Sequence, residues 1–247
     1  MHDFTPEQYS ALLSALTRSG IAFRLIHDID KRPSNALHVA RQEARIGIAS
    51  TYYFRSHQFV SHADTIRAVA DLGHTIGYHY ENLATAHGDF AQAYDSFCRH
   101  LEALRQIAPV STACAHGSPH SPWNNRDLWQ HYDIHALGIT YEPLLNTDFT
   151  TTLYLTDTGH RWDGFRVSVR DKVVAQHEQW VSEGLVFHST DDIIRALSTP
   201  SHPIHRYHLL INIHPQRWMP FGPQWVAEAC MQYVKNGVKR LLVAARR

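Results

Sequence analysis

Short apolar runs alternate with helical stretches along most of this 247-residue chain, and this alternation limits the possible folds more than any other feature. The run at residues 21–26 precedes a helix that begins at Pro33, and the runs at residues 48–54 and 75–79 follow the same scheme. Consecutive strands joined by helices run parallel, and repeated units of this kind build α/β folds. We therefore predict an α/β protein whose parallel sheet is closed or nearly closed into a barrel.

The second half of the chain continues the pattern. Further apolar runs predict strands at residues 110–114, 151–156, 185–187, 209–213 and 241–244. A last helix is predicted from Trp225 to a stop at Gly237. Periodicity fades from His116 to about Asn146, a segment too long for a simple connection, and we predict that this loop is functional.

The composition of the chain bears on its binding partners and on its location in the cell. Lys plus Arg equals Asp plus Glu, at 23 each, so the bulk charge implies no basic face and argues against nucleic acid as a partner. The three cysteines have no C-x-x-C spacing, so neither a disulfide framework nor a thiolate zinc site is indicated. No apolar run approaches the roughly 20 residues of a membrane span, and the N-terminus lacks the pattern of a signal peptide. We expect a cytoplasmic protein without a transmembrane segment.

Carboxylate and imidazole side chains follow several of the predicted strands. Active sites of parallel barrels are built at the C-terminal ends of the strands, where such residues share one rim. The residues at these positions are Asp28, Asp30, His79, His116, Asp157 and His214. Asp28 and Asp30 are two residues apart on one strand, so their side chains project to the same side. Two carboxylates this close repel each other unless a cation lies between them or one of them keeps its proton. The alternative is that they cap a turn and the following helix.

His79 and His116 complete a possible ligand set at this rim. A carboxylate combined with two imidazoles is a frequent set for zinc or a similar divalent ion, with one position left for water. Each histidine alone could equally be a polar strand end that is hydrogen-bonded to a loop. The coincidence of both with the two aspartates favours a metal site.

The order of these motifs resembles a known family. An apolar strand ends in Asp28-x-Asp30, residues 73–79 read Gly-His-Thr-Ile-Gly-Tyr-His, and a late apolar strand ends in Ile213-His214-Pro215. This order resembles the NodB-homology polysaccharide deacetylases of carbohydrate esterase family 4. The resemblance implies a distorted (β/α)7 TIM-like barrel, a single domain over residues 1–247, and a divalent metal cofactor, with Zn2+ as the expected ion.

The resemblance also implies roles for individual residues. It makes Asp28 the general base, Asp30 and His79 metal ligands, and His214 the general acid that protonates the leaving amine.

The third metal ligand is where this sequence departs from the family pattern. The family's second metal histidine lies four residues after the first, a position that Leu83 occupies in this chain. We predict that His116 replaces it, because its position at the end of the fourth strand faces the same mouth. Glu81, two residues after His79, is the alternative, either as a ligand or as a contact to a substrate hydroxyl.

Two segments carry aromatic and basic residues that suit a sugar derivative. Residues 157–162 end in Arg161-Trp162, and residues 214–218 end in Arg217-Trp218. The indoles offer flat apolar faces for a sugar ring, and the guanidinium groups suit a carboxylate or phosphate on the substrate. These four residues, with Glu81 and Asp157, form the predicted substrate-binding set; core packing is the alternative for each tryptophan. The pattern resembles a divergent branch of the family that includes proteins of lipopolysaccharide O-antigen clusters.

The predicted function is that of a metal-dependent hydrolase. It would remove an N-acetyl or related acyl group from a sugar of a cell-surface polysaccharide or its precursor. One alternative is a catalytically degraded barrel that acts as a carbohydrate-binding module. Another keeps the metal but changes the reaction, to hydrolysis of a different amide or isomerisation of a nucleotide-linked sugar. A serine nucleophile and a phosphate loop are disfavoured, because the sequence has neither a Gly-x-Ser-x-Gly elbow nor a Gly-rich strand-to-helix turn.

Overall fold

The computed structural model describes residues 2–245, with the backbone alone for residues 241–245. The strands in this range are β1 (Phe23–Ile29), β2 (Thr51–Phe54), β3 (Thr75–Tyr80), β4 (Val110–Ala115), β5 (Thr152–Thr156) and β6 (His208–Ile213). The α-helices are α1 (Pro6–Ser19), α2 (Pro33–Arg45), α3 (Ala63–Asp71), α4 (Asn82–Thr85), α5 (Phe90–Arg105), α6 (Pro143–Asn146), α7 (His177–Ser182), α8 (Thr190–Leu197) and α9 (Pro223–Ala245). No helix in the described range is both long enough and apolar enough to cross a bilayer.

The chain divides into two compact units. One, here called the terminal unit, comprises Met1–Ile26 and Asp148–Arg247. The other, the central unit, comprises His27–Thr147. The prediction of one domain over residues 1–247 stays a prediction.

The central unit is built on parallel strands that are buried on both faces. β2 pairs with β3, Thr51 opposite Thr75, and β3 pairs with β4, His79 opposite Cys114. Continuous runs of buried residues are typical of parallel strands that are covered by helices on both sides. Gly77 belongs to this packing, because a Cβ at this position would overlap the ring of Tyr53 on the neighbouring strand.

The terminal unit contains the parallel pair of β5 and β6, in which Thr152 lies opposite His208. Helix α1 begins as the sequence predicts, because the Thr5 hydroxyl accepts a hydrogen bond from the Gln8 amide at 3.3 Å. It ends at Gly20, which adopts the left-handed conformation with φ 70°. One face of α1 is buried, and the helix packs against α8.

The predicted fold class is confirmed, whereas the number of strands differs. The described residues form one parallel sheet of six strands in the order β4-β3-β2-β1-β6-β5, and the sheet is not closed. Residues 185–187 are irregular, and residues 241–244 continue α9 instead of forming a strand. A glycine inside a helix costs only about 1 kcal/mol relative to alanine, so Gly237 does not end α9, and the Leu and Ala residues after it favour helix.

Candidate metal centre

Both aspartates at the end of β1 approach the same imidazole in the central unit. Asp28 Oδ1 lies 3.7 Å from His79 Nδ1, and Asp30 Oδ1 lies 3.4 Å from His79 Nε2. The Asp28 side chain is 7% exposed and that of Asp30 22%. The alternation along the strand therefore brings the two carboxylates to one side, as the sequence predicts.

His79 is held by the neighbouring strand. Its Nδ1–H donates to the carbonyl of Cys114 at 3.0 Å, which leaves Nε2 directed at Asp30. Burial lowers the pKa of His79, but the negative charges of Asp28 and Asp30 outweigh this effect and raise the pKa to about 9. A cation is thus favoured at this place, whether it is a proton or a metal ion.

His116 directly follows β4, and its side chain approaches the carboxylate of Asp30. Its backbone amide donates to the Tyr80 carbonyl at 2.8 Å, which continues the pairing of β3 and β4 by one residue. His116 Nε2 lies 3.6 Å from Asp30 Oδ1, and its ring meets that of His79 edge to face at 5.3 Å between centroids.

The atoms offered by Asp30, His79 and His116 fit a divalent ion. They all lie within 4.8 Å of one another. Zinc bonds of about 2.0–2.1 Å in a tetrahedron place neighbouring ligand atoms about 3.3–3.4 Å apart, close to the 3.4 and 3.6 Å that separate Asp30 Oδ1 from the two imidazole nitrogens. We call these three residues the ligand group.

A second group with suitable spacing is Asp28, His79 and Cys114. The His79 nitrogen that lies 3.7 Å from Asp28 Oδ1 is Nδ1, which is already engaged with the Cys114 carbonyl. The ligand group uses the opposite nitrogen, and its donor set is therefore the better one.

Glu81 is not one of the three residues of the ligand group, and its two carboxylate oxygens contact other side chains. Its Oε1 contacts the Arg55 guanidinium, and its Oε2 accepts a hydrogen bond from His116 Nδ1 at 3.0 Å. Partial burial raises the pKa of Glu81, but His116 and Arg55 outweigh it and lower the pKa to about 2. Leu83, four residues after His79, is fully buried.

Arg55 and Asn125 are two residues near the ligand group that sequence reasoning missed. Arg55 directly follows β2, so the strand-end rule applied to the second strand would have found it. Asn125 is fully buried; its Nδ2 donates to the His116 carbonyl at 2.7 Å, and its Oδ1 accepts from the Ala84 amide at 2.9 Å. No sequence signal marks Asn125, because it lies in the aperiodic loop.

In the terminal unit, Asp157 and His214 form a buried pair. Asp157 is fully buried and accepts hydrogen bonds from His214 Nδ1 at 2.6 Å, Arg217 Nη1 at 2.5 Å and Trp218 Nε1 at 2.7 Å. Burial raises the pKa of Asp157, but Arg217 and His214 hold the pKa far below its ordinary range. The position of Nδ1 of His214 is thus fixed by this carboxylate.

The predicted substrate-binding residues of the terminal unit are mostly buried. Trp162, Arg217 and Trp218 are 4 to 6% exposed, and Trp162 Nε1 donates to the Thr190 hydroxyl at 2.9 Å. For the two tryptophans this is the environment of core residues. Arg161 is more accessible than these three residues: its side chain is 32% exposed and forms an ion pair with Asp163. Substrate contacts of these residues stay a prediction.

Comparison with known proteins gives structural similarity alone. No protein-family model and no curated protein matches the chain. A family 4 carbohydrate esterase from Streptomyces lividans, in complex with acetate, has a TM-score of 0.46 and 15% identity, covering 89% of this chain and 90% of its own. Bacillus subtilis PdaA, also a family 4 carbohydrate esterase, has a TM-score of 0.39 and 13% identity, covering 92% and 84%.

Proposed function

We propose that this protein is a metal-dependent hydrolase that removes an N-acetyl or related acyl group from a sugar. The observation that carries the proposal is the approach of two imidazole nitrogens, from His79 and His116, to one oxygen of Asp30. The order of motifs that resembles the NodB-homology deacetylases supports the reaction type. A cell-surface polysaccharide or its precursor as substrate, and the relation to O-antigen proteins, are part of this proposal.

The ligand group would hold one divalent ion, with Zn2+ as the expected metal. When bound, such an ion supplies Lewis-acid polarisation of the acyl carbonyl and of the attacking water. Asp30 directly follows β1, His79 lies on β3, which β2 separates from β1 in the sheet, and His116 comes from the start of the loop after β4. Three protein ligands leave room for a water or substrate oxygen, as in other catalytic zinc sites.

Asp28 would act as the general base. Its carboxylate is nearly buried and lies beside the ligand His79, so it can accept the proton of the attacking water at an oxygen next to the metal centre. Low exposure favours this role because a desolvated carboxylate interacts more strongly with a nearby proton donor.

His214 would act as the general acid that protonates the departing nitrogen. Its Nδ1 is fixed by Asp157, so the proton to be delivered is carried by Nε2. An imidazole can hold and release a proton near neutral pH, which suits the protonation of an amine leaving group. Asp157 is in this scheme a positioning residue for His214.

The proposal is tested by metal analysis and acetate release from N-acetylated sugars. We expect about one divalent ion per wild-type chain, loss of this ion in Asp30→Ala, and retention of the ion with loss of turnover in Asp28→Asn. Equal metal content in wild type and Asp30→Ala would contradict the ligand assignment. A metal-loaded wild type that binds the sugars without releasing acetate would favour a carbohydrate-binding module instead.

A further inference from the structure

The two histidines of the ligand group are held in different ways. His79 lies on a strand, with a side chain that is 1% exposed and a Nδ1–H fixed by a backbone carbonyl. His116 lies just outside its strand, with a side chain that is 19% exposed. The orientation of the His116 ring must therefore come from side chains around it.

Glu81 supplies the strongest of these contacts. Its Oε2 is 3.0 Å from His116 Nδ1, and the Ser118 hydroxyl is 3.1 Å from the same nitrogen. A carboxylate is only an acceptor, so Nδ1 must carry the proton. In the other tautomer a nitrogen lone pair would face the carboxylate, and the Nε2 proton would point at Asp30 where a metal ion has to bind.

Arg55 fixes Glu81 in turn. Its guanidinium takes up the other carboxylate oxygen, Oε1, so that Oε2 remains for His116. Arg55 is tied to the end of β1 through Gln58, whose Oε1 accepts from the Arg55 amide at 3.1 Å and whose Nε2 donates to the Ile29 carbonyl at 2.7 Å. Ile29 directly precedes Asp30, so these contacts connect one ligand to another.

We propose that Glu81 is a positioning residue that sets the tautomer and ring orientation of His116 for metal binding, and that Arg55 acts through Glu81. This inference rests on the proposed metal centre. Carboxylates that orient a metal-binding histidine typically contribute 10- to 100-fold to metal affinity. Glu81 is then neither a ligand nor a substrate contact, although its sequence position is compatible with both.

The test is a zinc titration of metal-free protein against a chromophoric chelator, with Glu81→Ala and Glu81→Gln. We expect Glu81→Ala to weaken zinc binding by about 10- to 100-fold. Glu81→Gln should weaken it less, since the amide oxygen still accepts from Nδ1. The matched control is Glu102→Gln, which removes a carboxylate from an exposed pair with Arg105 at 3.1 Å and should leave the affinity unchanged.

The absorption spectrum of bound Co2+ distinguishes a Glu81 that orients His116 from a Glu81 that coordinates the metal ion itself. At saturating Co2+, the visible absorption of Glu81→Gln should match that of wild type, because the three ligands are the same. A changed spectrum at saturation would mean that Glu81 itself coordinates the ion, and would overturn the proposal. Circular dichroism of each variant confirms that the folded protein is titrated.

A double-variant cycle tests the role of Arg55. If Arg55 acts through Glu81, Arg55→Gln weakens zinc binding in the wild type but has little further effect in Glu81→Gln. Independent, additive losses would contradict that part of the proposal.

Two outcomes separate the positioning role from the metal centre. If both Glu81 variants bind zinc with wild-type affinity, the positioning role is overturned and the metal centre is not. Failure of the wild type to bind zinc or cobalt would instead overturn the metal centre on which the inference rests.

Discussion

The buried carboxylate of Asp157 allows a quantitative prediction for Asp157→Asn. The carboxylate accepts from the backbone amide and Nδ1 of His214, from Arg217 and from Trp218. Asparagine has only one acceptor oxygen, so its NH2 group would face some of these donors. Arg217, which is 5% exposed, would remain charged but would lose the negative charge of Asp157 beside it. Breaking a buried ion pair by changing one partner costs about 3–5 kcal/mol. This is a large part of the roughly 5–15 kcal/mol that stabilises a typical protein.

Urea unfolding followed by tryptophan fluorescence measures this loss. The indole of Trp218 donates to Asp157 and reports on the same cluster. With an m value near 3 kcal/mol/M, the expected loss lowers the midpoint by about 1–2 M. The matched control is Asp64→Asn, which weakens an exposed pair with Arg67 at 3.0 Å and should cost about 0–1 kcal/mol. A loss in Asp157→Asn as small as that of the control would refute the reasoning.

The same carboxylate makes stability depend on pH. Its folded-state pKa is depressed below the ordinary aspartate value of about 3.9. Such a group contributes its full stabilisation above the unfolded-state pKa and loses it as the pH falls towards the folded-state pKa. Wild-type stability should therefore decline as the pH falls below about 4, and Asp157→Asn should lack this part of the decline. Urea midpoints between pH 7 and pH 2 would show the difference.

Three other substitutions test separate parts of the structure. Gly77→Ala should destabilise the fold by about 1–3 kcal/mol in urea unfolding, because the added methyl overlaps the Tyr53 ring; wild-type stability would refute this packing. His214→Ala should impair release of an amine more than release of a phenol from an activated acetate ester, and equal losses would rule out its role as acid. Leu83→His places a histidine at a fully buried position, four residues after His79, and should lower stability without tightening zinc binding; tighter zinc binding would show that the ring reaches the metal centre.

Local patterns allowed the sequence to predict several elements directly. The cap at Thr5 and the stop at Gly20 bound α1 as expected, since both signals act within a few residues. The common side of Asp28 and Asp30 follows from the two-residue period of a strand. The same reasoning failed at residues 241–244, because a short apolar run is compatible with either a strand or a buried helix, and the structure continues α9 there.

The sequence by itself determined the parallel α/β class and the residues that could take part in a metal site. It placed His116 before Glu81 as the third candidate ligand, but both follow strand ends and both have suitable side chains, so the sequence did not show what either residue contacts. Only the tertiary structure shows the contacts of the two residues: Arg55, from a third strand end, engages one oxygen of Glu81, and the other oxygen accepts from His116. Strand periodicity gives the side on which a residue lies, whereas the partners it meets there depend on residues that are distant in sequence and adjacent only after folding.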